Sequence, residues 1–362
     1  MLSNIYRGLK ALVTRKIKFD IDLIPYEFET LPLKKVMNWV MTESSVYFKP
    51  GRPWGFPTII QIEATNRCNL RCVGCPVTAG LNRPSGDMDL SIFKKIIDEL
   101  SDYLLLIIFW DWGEPFLNPE AYEMIRYAHD SGVKLVSSTN GQLFSKGNQA
   151  QKVVESGLDV LVFSVDGTTQ ETYQRFRKSG KLDLVLEGVR RVVEEKRRQN
   201  SSTPLVNLRS IVMKHNEEEL AELKELARDL KADALVLRKF HDWFNAEQHL
   251  PTDQKYQLPP YPQKNQTMAL SQNPCRNLWN CPTIIQDSTV CSCFVDYKGD
   301  HPLGSISMDS FKNIWYGQAY RKLRRDFRRR WKELPLCGLC SYGFKGGDVG
   351  RDANAEVFFY PN

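Results

Sequence analysis

The spacing of apolar positions along the chain changes character several times. In residues 1–19, Leu2, Ile5, Leu9, Leu12, Val13 and Ile17 recur at helical spacing with only basic charges between them. This predicts a basic amphipathic helix, which either lies on an anionic membrane surface or packs on the main body of the protein. From residue 57 strands and helices alternate. Apolar runs over 58–64, 104–110, 133–138, 161–165, 206–213 and 234–238 read as strands. Helical patterns lie between them: 90–100, a segment opened by Pro119 and ended by Gly132, then 168–176, 183–198 and 217–230. The longest run, 104–110, is too short to span a bilayer and reads as a buried strand. Such alternation predicts an α/β fold: a parallel sheet with right-handed crossovers and ligands at the carboxyl ends of its strands. Residues 246–274 are polar and Pro-rich and read as a linker, and a small cysteine-rich module follows.

Composition narrows the class. The 362 residues are 42% hydrophobic and 25% charged, an ordinary globular mixture. Basic residues interrupt the apolar positions near the start, so no secretory signal is visible and a cytoplasmic protein is expected. A net charge of +6 does not by itself call for nucleic acid. No GKS/GKT phosphate loop or HExxH pair occurs. The nine cysteines fall into two groups, Cys68 to Cys75 and Cys275 to Cys340, with none between. That distribution points away from disulfides and towards two metal sites.

Cys68, Cys72 and Cys75 follow directly on the first predicted strand. Three thiolates from one short loop can hold three irons of a 4Fe–4S cube and leave the fourth open to a ligand. A structural zinc site would need a fourth Cys or His nearby, and none follows within twenty residues. Cys-x3-Cys-x2-Cys after the first strand of a β/α repeat resembles the signature of the radical S-adenosylmethionine superfamily. The resemblance covers residues 57–240 and implies a partial (β/α)6 TIM-like barrel. It also implies a 4Fe–4S cluster, and reductive cleavage of S-adenosylmethionine to a 5′-deoxyadenosyl radical that abstracts a substrate hydrogen. Gly113-Glu114, within Trp112-Gly-Glu-Pro115, is similar to the family's motif for the methionine amino group. Ser138 and Asn140 match a turn near the ribose, and Ser164 with Arg177 matches the segment that meets the methionine carboxylate. Each is also an ordinary turn residue when taken alone. Two positions depart from the pattern: Gly74 stands where the family often has an aromatic residue, and Trp112 replaces a glycine.

Cys275, Cys281, Cys291, Cys293, Cys337 and Cys340 resemble the cysteines of the SPASM or "twitch" extension, which binds auxiliary 4Fe–4S clusters in that family. Two fully thiolate-ligated clusters need about eight cysteines. Six are present, so one auxiliary cluster is expected, on Cys275, Cys293, Cys337 and Cys340, with four-cysteine zinc as the alternative. Cys281 and Cys291 are left over. Cys281 is either an inert buried thiol or a hydrogen-atom donor to a substrate radical.

The basic run 321–332 meets solvent, an anionic substrate or a lipid surface, the last together with residues 1–19. No RNA-binding module is recognisable, and no nucleic-acid partner is expected. The five histidines form no ligand spacing; His241 and Asp242 follow the last strand as a candidate proton acceptor. The expected organisation is an N-terminal extension (1–56), the barrel (57–245), the linker (246–274), the auxiliary module (275–345) and a tail (346–362). The expected activity is a redox modification of a sugar, aminocyclitol, peptide or lipid-linked substrate, with a flavodoxin- or ferredoxin-type reductant. Epimerisation through Cys281 is the alternative within the class. A non-catalytic iron–sulfur or zinc-binding assembly protein is the alternative outside it.

Overall fold

A computed structural model describes residues 2–240, 247–257, 275–338, 340 and 354–360. Its strands are β1 (Ile17–Ile21), β2 (Ile24–Phe28), β3 (Ile59–Ile62), β4 (Leu106–Ile108), β5 (Lys134–Thr139), β6 (Val160–Ser164), β7 (Leu205–Ile211), β8 (Ala234–Arg238), β9 (Thr283–Ile284), β10 (Thr289–Cys291), β11 (Gly304–Ser305) and β12 (Asn354–Phe359). The helices used below are α1 (Leu2–Thr14), α2 (Leu33–Phe48) and, far along the chain, α3 (Gln318–Arg330).

β3 to β8 run parallel and lie side by side in chain order, each joined to the next by a helical crossover. This is the expected partial (β/α)6 barrel. Alternation along each strand divides the side chains between two cores. Ile60, Ile107, Leu135, Leu161, Phe163, Leu208 and Leu235 face the helices, packed with Phe93, Ile97, Met124 and Val189. Ile59, Leu106, Ile108, Val136, Val162 and Val236 face the other way, into the barrel. Burial of each such aliphatic side chain contributes about 1.5–3 kcal/mol.

The structure departs from the sequence reading at both ends. Residues 17–28 form a hairpin whose Ile17, Ile21, Ile24, Tyr26 and Phe28 plug the barrel interior, and α2 adds Val36 and Trp39 to the same core. Ile17 therefore belongs to a strand, because Arg15, with a positive φ, ends the helix before it. At the hairpin turn Asp22 forms an ion pair with Arg209 of β7, both buried. At the other end, β12 pairs antiparallel with β8 and covers that sheet edge. The cysteine-rich module joins the same sheet at the opposite edge, where β9 runs parallel to β3 and continues into β10 and β11. Within the expected linker, Tyr256 is buried and bonded to Glu356, while 258–274 lie outside the described residues. No helix among the described residues is long and apolar enough to cross a membrane.

Candidate active site and the two cysteine groups

A cavity of about 310 Å³ opens at the carboxyl ends of β3 to β8, where a parallel sheet places its ligands. Cys68, Cys72, Cys75, Gly113, Glu114, Ser138, Asn140, Ser164 and Arg177 all line it. The structure thus gathers every candidate the sequence named between residues 68 and 177. They sit at or after the ends of four successive strands, β3 to β6, so strand order brings together residues more than a hundred positions apart.

Two donors aim at the thiols. Asn140 Nδ2 lies 3.8 Å from Cys68 Sγ, and Arg177 Nη1 lies 3.7 Å from Cys72 Sγ. Leu70 N adds a contact to Cys68 at 3.5 Å. Burial pushes the Cys68 thiol up to about 12 and raises that of Cys75. Left alone these thiols stay protonated; thiolates here require a cation, and donors directed at sulfur suit an iron–sulfur cluster. Among the described residues no three Cys, His, Asp or Glu side chains converge closely enough to hold a single metal ion.

Glu114 is 1% exposed; its carboxylate accepts from Thr139 Oγ1 at 2.8 Å and from Asn140 N at 2.7 Å. Burial raises it to about 7, against the pull of those hydrogen bonds. Arg177 is bonded to the buried Asp166, which also accepts from Ile211 N at 2.7 Å. In the sequence Asp166 is no more than half of an Asp-Gly turn, yet it fixes the arginine that donates to Cys72.

Both departures from the family pattern have local causes. Gly74 has φ +66°, a conformation that strains a side chain, so the loop that presents the cysteines favours glycine over an aromatic residue there. Trp112 packs edge-on against Tyr297 at 5.8 Å and donates to Phe294 O at 3.4 Å, joining the barrel loop to the cysteine-rich module. The next residue, Gly113, has φ +118°, and a Cβ there would stand 2.3 Å from Thr65 O. That cradle admits glycine alone.

Five polar residues of the cavity wall escaped the sequence reading: Gln61, Asp111, Arg209, Arg238 and Lys239. No motif marks them; alternation along β3, β7 and β8 was the signal for Gln61, Arg209 and Arg238, while Asp111 and Lys239 lie just past strand ends and carry no such signal. His241 and Asp242 lie outside the described residues.

In the second group, Cys293 and Cys337 lie within electrostatic reach of each other and of Cys275 and Cys340. Burial raises both thiols well above their ordinary range. The four are thus neighbours, although Cys275 and Cys340 are far apart in sequence. Trp279, Phe327 and Trp331 pack beside Cys275 and Cys337. Cys281 is 3% exposed and packed in the barrel-interior core; burial holds its thiol at about 12, it lies within electrostatic reach of Cys275 and Asp111, and its side chain is not part of the cavity wall. Cys291 is fully buried beside Asp296.

Arg83 ties the modules together. Its guanidinium donates to both oxygens of Glu63 on the β3 side, at 2.5 and 2.7 Å, and to Gln286 and Tyr297 O on the other.

Comparison with known proteins agrees with this geometry. Residues 62–227 match the family model described as the radical SAM superfamily, and residues 275–341 match the SPASM iron–sulfur cluster-binding domain. An AdoMet-dependent heme synthase of Methanosarcina barkeri is 31% identical over 179 residues, 49% of this chain and 49% of that protein, so the chain spans about half of that relative's length. The mycofactocin maturase MftC of Mycobacterium tuberculosis is 24% identical over 324 residues, 79% of this chain and 76% of that one. Among solved structures, Streptococcus suis SuiB bound to its precursor peptide SuiA superposes with a TM-score of 0.62 at 14% identity, covering 94% of this chain and 83% of SuiB.

Proposed function

Because this chain belongs to the radical S-adenosylmethionine superfamily and carries a SPASM module, we propose that it performs a radical redox modification of a polar substrate. The substrate class is a peptide side chain, or a sugar, aminocyclitol or lipid-linked molecule, and the reaction is dehydrogenation or C–H functionalisation. When bound, the 4Fe–4S cluster and S-adenosylmethionine together supply a 5′-deoxyadenosyl radical that takes a hydrogen atom from the substrate. Cys68, Cys72 and Cys75 hold that cluster. Asn140 and Arg177 orient two of their sulfurs, Gly113 and Glu114 receive the cofactor's amino group, and Ser138 and Ser164 meet its polar edge. Cys275, Cys293, Cys337 and Cys340 would hold an auxiliary cluster, which would supply redox capacity or support for the substrate.

The observation that carries the reading is the single cavity in which three cysteines share a wall with all six candidate cofactor residues. Its far wall, with Gln61, Asp111, Arg209, Arg238 and Lys239, suits a substrate bearing polar or anionic groups. Peptides rank first within the class because SuiB, whose fold is similar, was solved with a precursor peptide, and MftC is named a maturase. A flavodoxin- or ferredoxin-type protein supplies the electron. A separate part of the proposal is peripheral membrane association through residues 1–19, where α1 leaves Tyr6, Leu9 and Val13 exposed beside Arg7 and Lys10.

The test is anaerobic reconstitution, with iron counted and 5′-deoxyadenosine measured after reduction with S-adenosylmethionine. About eight irons per chain and product release are expected. No release with any reductant overturns the enzyme reading in favour of an assembly role.

A further inference from the structure

A second concavity, of about 520 Å³, lies away from the active-site cavity and is lined by Gly51, Arg52, Arg321, Arg325, Arg328 and Arg329. α3 builds most of it. Tyr320, Arg324 and Phe327 turn inward, and Arg324 is fully buried, donating to Leu278 O and Trp315 O. The same periodicity turns Arg321, Arg325 and Arg328 outward along one face, one and two turns apart. The helix carries one acid, Asp326, and it is engaged by Lys322 at 2.7 Å and Arg330 at 3.5 Å. None of the four lining arginines of α3 has a carboxylate partner among the described residues. Arg52 enters from the loop after α2, its guanidinium 5.2 Å from the Tyr316 ring. Guanidinium groups gathered without acids repel one another, and an anion would relieve that repulsion.

The surface beside this concavity is apolar. α2 leaves Leu33, Met37, Met41 and Phe48 exposed on one ridge, together with Tyr47. The ridge runs to the arginine-lined loop, where Phe48 packs at a tilt against Trp54, ring centroids 5.5 Å apart, and both residues are more than half exposed. Arg52 stands between them in the chain. On the other side, Gly8 of α1 rests against Val40, placing the exposed Leu9 and Val13 on a helix packed to the same ridge.

Aromatic rings and methionines flanking unpaired arginines match the boundary of a bilayer, where rings sit at headgroup depth and guanidiniums meet phosphates. A nucleic-acid groove would need rings interleaved with the arginines to stack bases, and the exposed residues of α3 include no aromatic ring. We propose that the ridge of α2 and the arginines of α3 form one docking surface for an anionic phospholipid bilayer, with Arg52, Arg321, Arg325, Arg328 and Arg329 taking lipid phosphates. This goes beyond association through residues 1–19, and it is independent of the radical chemistry.

The test is flotation of the full-length protein with vesicles of phosphatidylcholine plus phosphatidylglycerol against vesicles of phosphatidylcholine alone. Binding to the anionic vesicles only, weakened by salt, is expected. R321Q/R325Q/R328Q should weaken the partition about a hundredfold, since each basic residue near the surface contributes roughly a fivefold factor. A control, R190Q/R197Q/R198Q, removes equal charge from another exposed helix and should weaken it far less. M37S/F48S should reduce partition even at low salt. Equal losses in the two arginine variants would reduce the effect to net charge and overturn the proposal. So would loss in L9S/V13S with none in the α3 variant, which would leave α1 as the anchor. Binding of inorganic phosphate or an RNA oligonucleotide, sensitive to the α3 changes, with no vesicle binding, would also overturn it. 5′-Deoxyadenosine release by the α3 variant should equal the parent's, which separates this outcome from any failure of the catalytic reading.

Discussion

The two cysteine groups are built in opposite ways. Cys68, Cys72 and Cys75 come from a single loop of eight residues after β3 and open onto a cavity. Cys275, Cys293 and the pair Cys337 and Cys340 come from three separate places and meet only because the small module folds. The first set has three thiols and polar groups waiting at its open side; the second has four thiols backed by Trp279 and Trp331. A site that must admit a ligand leaves one position free, and a site that only stores electrons or supports structure closes all four. The local set can persist while the rest of the protein loosens. The dispersed set stands or falls with its module.

Changes at the two groups should therefore have unlike consequences. The largest is expected for Cys68→Ala: 5′-deoxyadenosine release should vanish and about four irons should be lost, with thermal stability changed little. Release retained by this variant would break the assignment of the open site. Cys337→Ala should also remove about four irons, but 5′-deoxyadenosine should still form while substrate turnover is lost. Its melting transition should broaden or split, because a dispersed ligand set ties its module together; a single unchanged transition would show that the module folds without the cluster. Third is Arg83→Met, which leaves Glu63 buried without its partner and cuts the link to Gln286 and Tyr297. A loss of about 3 to 5 kcal/mol in denaturant unfolding is expected. A loss under 1 kcal/mol would mean that the modules are held by the shared sheet alone. The smallest effect belongs to Cys281→Ala, with a cost of about 1 to 2 kcal/mol for a small internal cavity and no change in iron content or 5′-deoxyadenosine release. Loss of substrate product in that variant, with release intact, would favour the hydrogen-donor reading.

What the chain declares in one dimension is whatever depends on neighbours in sequence. The period-two and period-3.6 patterns gave the six parallel strands, with ends displaced by a few residues at most, since each alternating run must bury one face wherever it goes. Cys-x3-Cys-x2-Cys and the strand-end residues Gly113, Asn140 and Ser164 were readable for the same reason: each sits at a fixed offset from its own strand. Tertiary structure decided what depends on residues distant in sequence. The hairpin 17–28 gave no sign that it fills a barrel, because its partners Val136, Val162 and Val236 lie over a hundred residues away. β12 looked like a tail until β8 offered an unpaired edge. Trp112 read as a departure from a pattern until Tyr297 and Phe294 supplied its partners, and Asp166 read as a turn until Arg177 reached it. The arginines of α3 were visible as a basic run from the start. Only the fold set them beside Arg52 and the exposed rings of Phe48 and Trp54, because burying Tyr320, Arg324 and Phe327 fixes which face of that helix turns outward.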